Sequence, residues 1–273
     1  VYDVKIGESP LWMKRRLALV GMASISNVVD ITNYVLKEIG QPMHAFDGSY
    51  LEGNEICVRR AKDTEKIITL DEQEYEMNTD NLVICDGVKP VALAGVMGGL
   101  NSEIRDTTES VIFESAKFAR DSVRKTARSL GKSTDASARY EKGVDEYSTV
   151  LGMKRALHLI EELQCGKVSS THVDINTGNS IEPTEMKVSI SKVNGVLGIT
   201  VPEEDIVRIM KNLDFAPTVD GDQLTIHVPA YREDMLPNGE NDVERYPDVA
   251  EEVIRMYGYD HIVPTFLPTA QVT

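Results

Sequence analysis

FESAKFARDSVRKTARSLGKSTDASARYEKGVD, residues 113–145, holds the features around which the rest of the chain is arranged. Glu114 follows the apolar pair Ile112 and Phe113 where a buried strand should end. Its charge is therefore expected at the mouth of a core, where an acid needs a partner. A helix is expected from about residue 119 to 130, with Val123, Ala127 and Leu130 on one stripe and Lys117, Arg120, Arg124 and Arg128 on the next. Gly131 stops it, and a small polar loop follows. Spacing alone fits a solvated helix face equally well. Charge contrast argues for more. The whole chain has 44 Asp and Glu against 29 Lys and Arg, yet residues 117–142 carry eight basic and three acidic side chains. A patch of that kind fits an anionic partner such as phosphate. The acidic remainder argues against wrapping a long duplex, which needs a broad basic surface, so one defined segment of nucleic acid fits better.

Upstream, Ser9-Pro10 precedes an amphipathic helix, LWMKRRLALVG, whose Lys14, Arg15 and Arg16 form a second basic cluster. A second helix runs from about residue 26 to 39, with Val28, Ile31, Val35 and Ile39 on one face and Gly40 and Pro42 to end it. In MHAFDG, His44 lies between the rigid Pro42 and the buried-looking Phe46; a structural histidine is the plainer reading. From residue 55 to 111 the pattern turns to strands: EICVRR, KIITL, then LVICDGVKPVALAGVMGG, with an Asp86-Gly87 hairpin signal. The Gly98-Gly99 bend lacks the Gly-Lys-Ser/Thr of a phosphate loop. It reads as a tight turn, or as a place where two backbone N–H groups can meet a carbonyl oxygen.

Downstream, a scaffold helix is expected over residues 146–163 and a domain boundary near 175–185, in the polar run THVDINTGNSIEPTE. A smaller domain follows: a short helix at residues 191–197, Thr200 to Glu203 as the capping signal of a helix to residue 213, a second Asp-Gly hairpin in VDGDQLTIHVP, and a last helix containing DVAEEVIRMYGYD. Residues 203–260 hold fifteen acidic and five basic side chains, a balance that should repel nucleic acid. The resulting fold class is α+β: a large mixed or antiparallel sheet domain with flanking helices over residues 1–180, a small helix-rich domain with an acidic last helix over 185–265, and a linker over 266–273.

At 273 residues and 41% hydrophobic content the chain buries a sizeable core, and no apolar run is long enough to span a bilayer. The opening VYDVKIGESP reads as neither a signal peptide nor a natural start, so the sequence is taken as an excised piece. Cys57, Cys85 and Cys165 are odd in number and lack CxxC spacing, and the five histidines form no HExxH; neither a disulfide framework nor a zinc site is indicated, and a cytoplasmic setting is expected.

Several stretches together closely resemble one family, the beta subunits of bacterial phenylalanyl-tRNA synthetase: NVVDITNYVLKEIGQPMHAFD at 27–47, LAGVMGG at 93–99, FESAKF at 113–118, STDASARYEKGVD at 133–145 and EEVIRMYGYDHI at 251–262. The resemblance implies an editing module and the small domain after it, with adenylate formation left to the alpha subunit. It implies hydrolysis of tyrosine wrongly attached to tRNA(Phe), a second sieve for two amino acids that differ by one hydroxyl. Glu114 then matches the position that accepts the tyrosine hydroxyl. Gly98 matches a backbone approach to substrate, Thr134 and Ala136 line the pocket, and His44 positions water, acts as base or holds the terminal ribose. Arg120, Arg124 and Arg128 become phosphate contacts. On the small domain, Asp234, Asp248, Glu251 and Glu252 match a magnesium site shared with the alpha subunit, although the LPNGENDVERYP segment is longer than usual. Editing itself needs no cofactor. The implied partners are tRNA(Phe) and the alpha subunit, in an assembly of two alpha and two beta chains, and no membrane. The alternative is a non-catalytic tRNA-docking and subunit-assembly module of the same synthetase.

Overall fold

The computed structural model describes residues 1–175, 184–232, 234–235 and 245–264. The chain divides into two compact units, Val1–Asn179 and Ser180–Thr273. In the first unit the elements run α1 (Leu11–Leu19), α2 (Asn27–Ile39), β1 (Met43–Asp47), β2 (Cys57–Arg60), β3 (Lys66–Ile68), β4 (Glu74–Glu76), β5 (Leu82–Cys85), β6 (Pro90–Leu93), β7 (Met97–Gly98), β8 (Val111–Ser115), α3 (Arg120–Ser129), α4 (Asp135–Tyr140) and α5 (Glu146–Glu162).

Its strands are all antiparallel, but they make separate ribbons: a four-stranded sheet in the order β2-β5-β6-β7, and the pairs β1-β8 and β3-β4. The α+β class holds, with the expected large sheet divided into these pieces. Strands of two to five residues cannot extend one continuous ladder.

Two cores flank the β1-β8 ribbon. Ala45 and Val111 belong to a cluster with Val28, Ile31 and Val35 of α2 and Ala156, Leu159 and Ile160 of α5. Phe46 belongs to a second cluster, with Val83 and Ile84 of β5, Val91 and Leu93 of β6, and Val123, Ala127 and Tyr140 of α3 and α4. Successive side chains of a strand point to opposite faces, so the ribbon serves both cores. His44, Phe46, Ile112 and Glu114 therefore share the face opposite α2 and α5. Ile112 is 40% exposed, so the apolar pair before Glu114 is not the wholly buried strand end its sequence suggests.

Helix α2 begins at an extended Ser26 and ends at Gly40, whose φ of 90° lets its N–H return to the Leu36 carbonyl. The hairpin between β5 and β6 closes through Asp86, which accepts from the backbone N–H of Val88 and of Lys89. The expected polar loop after Gly131 is in fact partly helical. Thr134 caps α4 by accepting from the Ser137 N–H, while the Ser137 hydroxyl accepts from the Thr134 N–H.

The second unit runs β9 (Thr184–Ser189), α6 (Ile190–Leu197), α7 (Glu203–Asn212), β10 (Thr218–Asp220), β11 (Gln223–Val228) and α8 (Tyr246–Tyr257), with an antiparallel sheet ordered β10-β11-β9. Met186, Val188, Ile206, Phe215, Leu224, Ile226, Val249 and Val253 form its core. Strand β9 was not foreseen, because its alternation is hidden in a charged segment. Thr200 does not cap α7: the N-cap is Pro202 with no side-chain bond, and Asn194 accepts from Val201 N–H instead. The expected linker over 266–273 and most of the LPNGENDVERYP segment lie outside the described residues.

Candidate active site

The register of β1 against β8 sets His44 directly opposite Glu114. Cross-strand partners of an antiparallel pair lie on the same face with Cβ atoms about 4.5–5.5 Å apart. Phe46, two residues along the same face, meets the imidazole edge-on at 4.5 Å between centroids. Gly98 of β7 closes over the ring: a Cβ there would lie 2.6 Å from His44 Nε2 and closer still to Cε1. Only a residue without a side chain fits that approach.

Both ionisable groups are desolvated and unpaired. His44 Nε2 is buried and has no hydrogen-bond partner. Burial holds the imidazole near pKa 4, so it is neutral at physiological pH. Burial pushes the Glu114 carboxyl up to about 7, and no hydrogen bond or ion pair among the described residues offsets it. The partner expected for this acid is absent among the described residues. A buried imidazole nitrogen without a partner opposite a half-buried carboxyl marks a candidate site.

The other pocket candidates come from the turn and helix above the ribbon. Gly95, at φ 69°, packs so closely against Val123, Phe118 and Tyr140 that a Cβ would sit 2.9–3.1 Å from all three. Thr134 accepts from Ser137 N–H and donates to the Val96 carbonyl at 2.8 Å, pinning the start of α4 to the turn that carries Gly98. Ala136 lies partly buried in the first turn of α4. The amides of Val96 and Gly99 are taken by the carbonyls of Leu93 and Val91. The Gly98-Gly99 bend therefore does not offer two free N–H groups to an oxyanion.

Two residues that the sequence did not single out hold the open end of the ribbon. Gln41 is wholly buried and donates to the carbonyls of Pro42 and Ala116, each at 2.9 Å. The Tyr140 hydroxyl donates to Ala116 O at 2.9 Å. Pro42 and Ala116 immediately flank the last register pair, Met43 and Ser115, so these bonds fix the strands beside His44 and Glu114. An ion pair between Asp71 and Lys132 ties the β3-β4 hairpin to the segment leading into α4.

Arg120, Arg124 and Arg128 are exposed along α3, and none makes an ion pair among the described residues. The patch is available to an anion, on a helix that packs against the site through Val123.

The four acids of the second unit do not form a cation cage. Asp234 accepts from Arg232 Nε and Nη2 at 2.9 and 2.7 Å, and Arg232 also reaches Glu252 at 3.0 Å. Arg255 takes the other oxygen of Glu252, and Arg245 lies 3.5 Å from Asp248. Among the described residues no group of three or more His, Cys, Asp or Glu side chains is arranged to hold a metal. The donors do not fit magnesium, because interleaved guanidinium groups already satisfy Asp234, Asp248 and Glu252, while Glu251 stands exposed on α8.

Residues 1–165 match the B3/4 domain family, and residues 186–259 match the tRNA synthetase B5 domain. The phenylalanine–tRNA ligase beta subunit of Syntrophus aciditrophicus is 44% identical over 271 residues, covering 98% of this chain and 33% of that protein. That of Geobacillus kaustophilus is 44% identical over 271 residues, 99% of this chain and 32% of that protein. That of Clostridium acetobutylicum is 39% identical over 272 residues, 100% of this chain and 33% of that protein. The chain thus spans about a third of the length of these relatives. An N-terminal fragment of the beta subunit from Pyrococcus horikoshii aligns with a TM-score of 0.40 and 14% identity over 85% of this chain and 65% of that one, a likeness too distant to inform the site.

Proposed function

The chain belongs to the B3/4 domain family and matches phenylalanine–tRNA ligase beta subunits along nearly its whole length, and on that footing we propose that its first unit hydrolyses tyrosine wrongly esterified to tRNA(Phe). The observation that carries this reading is the cross-strand pair of His44 and Glu114: the imidazole Nε2 is buried without a partner under the side-chain-free Gly98, and burial raises the pKa of the carboxyl opposite it.

The chemistry follows from those charge states. An ionised Glu114 is an acceptor without a donor, and a phenolic O–H supplies one in a charge-assisted bond. A phenylalanyl group fills the same space and leaves the carboxylate desolvated and unpaired, at a cost of about 1–3 kcal/mol. That difference spares the correct product. His44, neutral because of its burial, presents Nε2 as an acceptor for the proton of an attacking water or for a ribose hydroxyl. Thr134 and Ala136 bound the pocket. Arg120, Arg124 and Arg128 steer the acceptor end by its phosphates. In the whole synthetase the alpha subunit carries adenylate formation and pairs with this chain in an assembly of two copies each, in the cytoplasm. Magnesium has no part in the hydrolysis proposed here.

The test is release of tyrosine from mischarged tyrosyl-tRNA(Phe) by the whole enzyme, with and without Glu114→Ala. The wild type is expected to deacylate tyrosyl-tRNA and spare phenylalanyl-tRNA, and the variant to lose that preference. Intact tyrosyl-tRNA in both reactions, with aminoacylation normal, would overturn the reading.

A further inference from the structure

Two of the three cysteines meet although their spacing carries no pairing signal. Cys57 on β2 and Cys85 on β5 are directly opposite in the antiparallel register, both are free thiols, and both line one cleft of about 210 Å³ with Arg59, Lys62 and Asp86. We propose that Cys57 and Cys85 form a reversible dithiol–disulfide pair that a hydroperoxide closes.

The ladder phase shows what such a bond would be like. Ala61 N–H donates to Asn81 O at 2.8 Å, and Cys57 and Cys85 lie four residues from that pair on their own strands. They therefore occupy a hydrogen-bonded position, where opposed Cα atoms are about 5.5 Å apart. That separation falls within the Cα range of disulfides, about 4.4–6.8 Å. The Cβ atoms at such a position are slightly wider than the bond prefers, so the closed form is strained and easily reduced.

Access and charge fix the order of events. Cys57 is partly exposed and Cys85 is buried. Arg59, on the same face of β2 as Cys57, is held by Glu65 through both arms at 2.8 and 2.7 Å, so its guanidinium stays beside the two sulfurs. Burial pushes the Cys85 thiol up, so the partly exposed Cys57 is the sulfur that meets the peroxide first. The Cys57 thiolate attacks one peroxide oxygen. The O–O bond breaks, a sulfenic acid forms, and the departing hydroxide takes up a proton as water. The Cys85 thiol then attacks the Cys57 sulfur, its proton leaves with the sulfenic oxygen as a second water, and the S–S bond forms. Two thiols lose two electrons and the peroxide gains them. Cys165 has no part, because it is buried against the Ile160 carbonyl at 3.7 Å.

The experiment treats the intact protein with hydrogen peroxide, then alkylates and maps its peptides without reduction. The expected result is a chain lighter by two hydrogens, with residues 57 and 85 in one linked species that dithiothreitol opens. Cys57→Ser, a near-isosteric change at a partly exposed site, is expected to abolish the link, and Cys165→Ser to leave it unchanged. The proposal is overturned if, with circular dichroism unchanged, Cys57 passes to sulfinic or sulfonic acid while Cys85 stays alkylatable. It is equally overturned if both remain thiols or if the bond joins two chains.

Discussion

At Glu114, function and stability pull in opposite directions. Its folded pKa of about 7 lies above the 4.5 of an ordinary glutamate, so the native state binds the proton more tightly than the unfolded chain. Stability is then fully present below about pH 4.5 and is lost as pH rises through 7. Glu114→Gln keeps the shape and removes the charge. It is expected to raise stability by about 1–2 kcal/mol at pH 8, with the difference vanishing at pH 4.5, as read by denaturant unfolding at both values. The same variant should lose preference for tyrosyl-tRNA, because an amide cannot give the charge-assisted bond of a carboxylate. In the wild type that preference should itself fall as pH drops below about 7, while His44, held near 4, stays neutral throughout. A variant whose stability matches wild type at pH 8 would show that the carboxylate has a partner in solution.

At the scale of elements, the start of α4 is pinned to the turn that leads into Gly98. Thr134→Val keeps the volume but deletes the acceptor for Ser137 N–H and the donor to Val96 O. The expected cost is about 1–2 kcal/mol, with a larger loss of tyrosyl-tRNA deacylation than of general fold, and Thr134→Ser should restore both. On the proposed function, helix α3 serves substrate binding and not the chemical step. Replacing Arg124 and Arg128 by Gln should raise KM for mischarged tRNA and flatten its salt dependence by about 0.7–0.9 per lost phosphate contact, leaving kcat unchanged. These elements were unequally legible. The α3 stripe and the Gly40 stop could be read because helical spacing and glycine conformation are local. Helix α4 was hidden because STDAS is polar, although Thr134 and Ser137 carry a capping spacing. The pairing of His44 with Glu114 could not be read from residue patterns, since seventy positions separate them and only the β1-β8 register unites them. Gln41 gave no signal, because a buried glutamine between Gly40 and Pro42 looks like any turn residue.

For the whole molecule, each unit closes its own core, and this sets how the chain should unfold. No residue of the Val188, Ile206, Leu224 and Val253 cluster belongs to either core of the first unit. Cooperativity follows shared burial, so two calorimetric transitions are expected. Val253 is wholly buried in α8, and Val253→Ala removes two methyl groups from a packed site. It should lower one transition by several degrees, at about 1–3 kcal/mol, leaving the other and tyrosyl-tRNA deacylation in place. The acids of the same unit supply an independent check. A cation that bound Asp234 and Glu252 would raise the second transition in proportion to the logarithm of its concentration. Arg232 already spans those carboxylates, so millimolar magnesium is expected to leave it unmoved. Removing the guanidinium with Arg232→Gln should lower that transition instead, because Glu252, with a side chain only 8% exposed, keeps Arg255 as its sole remaining ion-pair partner among the described residues. Magnesium-dependent stabilisation of the wild type would mean that the acids exchange their arginines for the ion, and would restore the cation site that these ion pairs now deny.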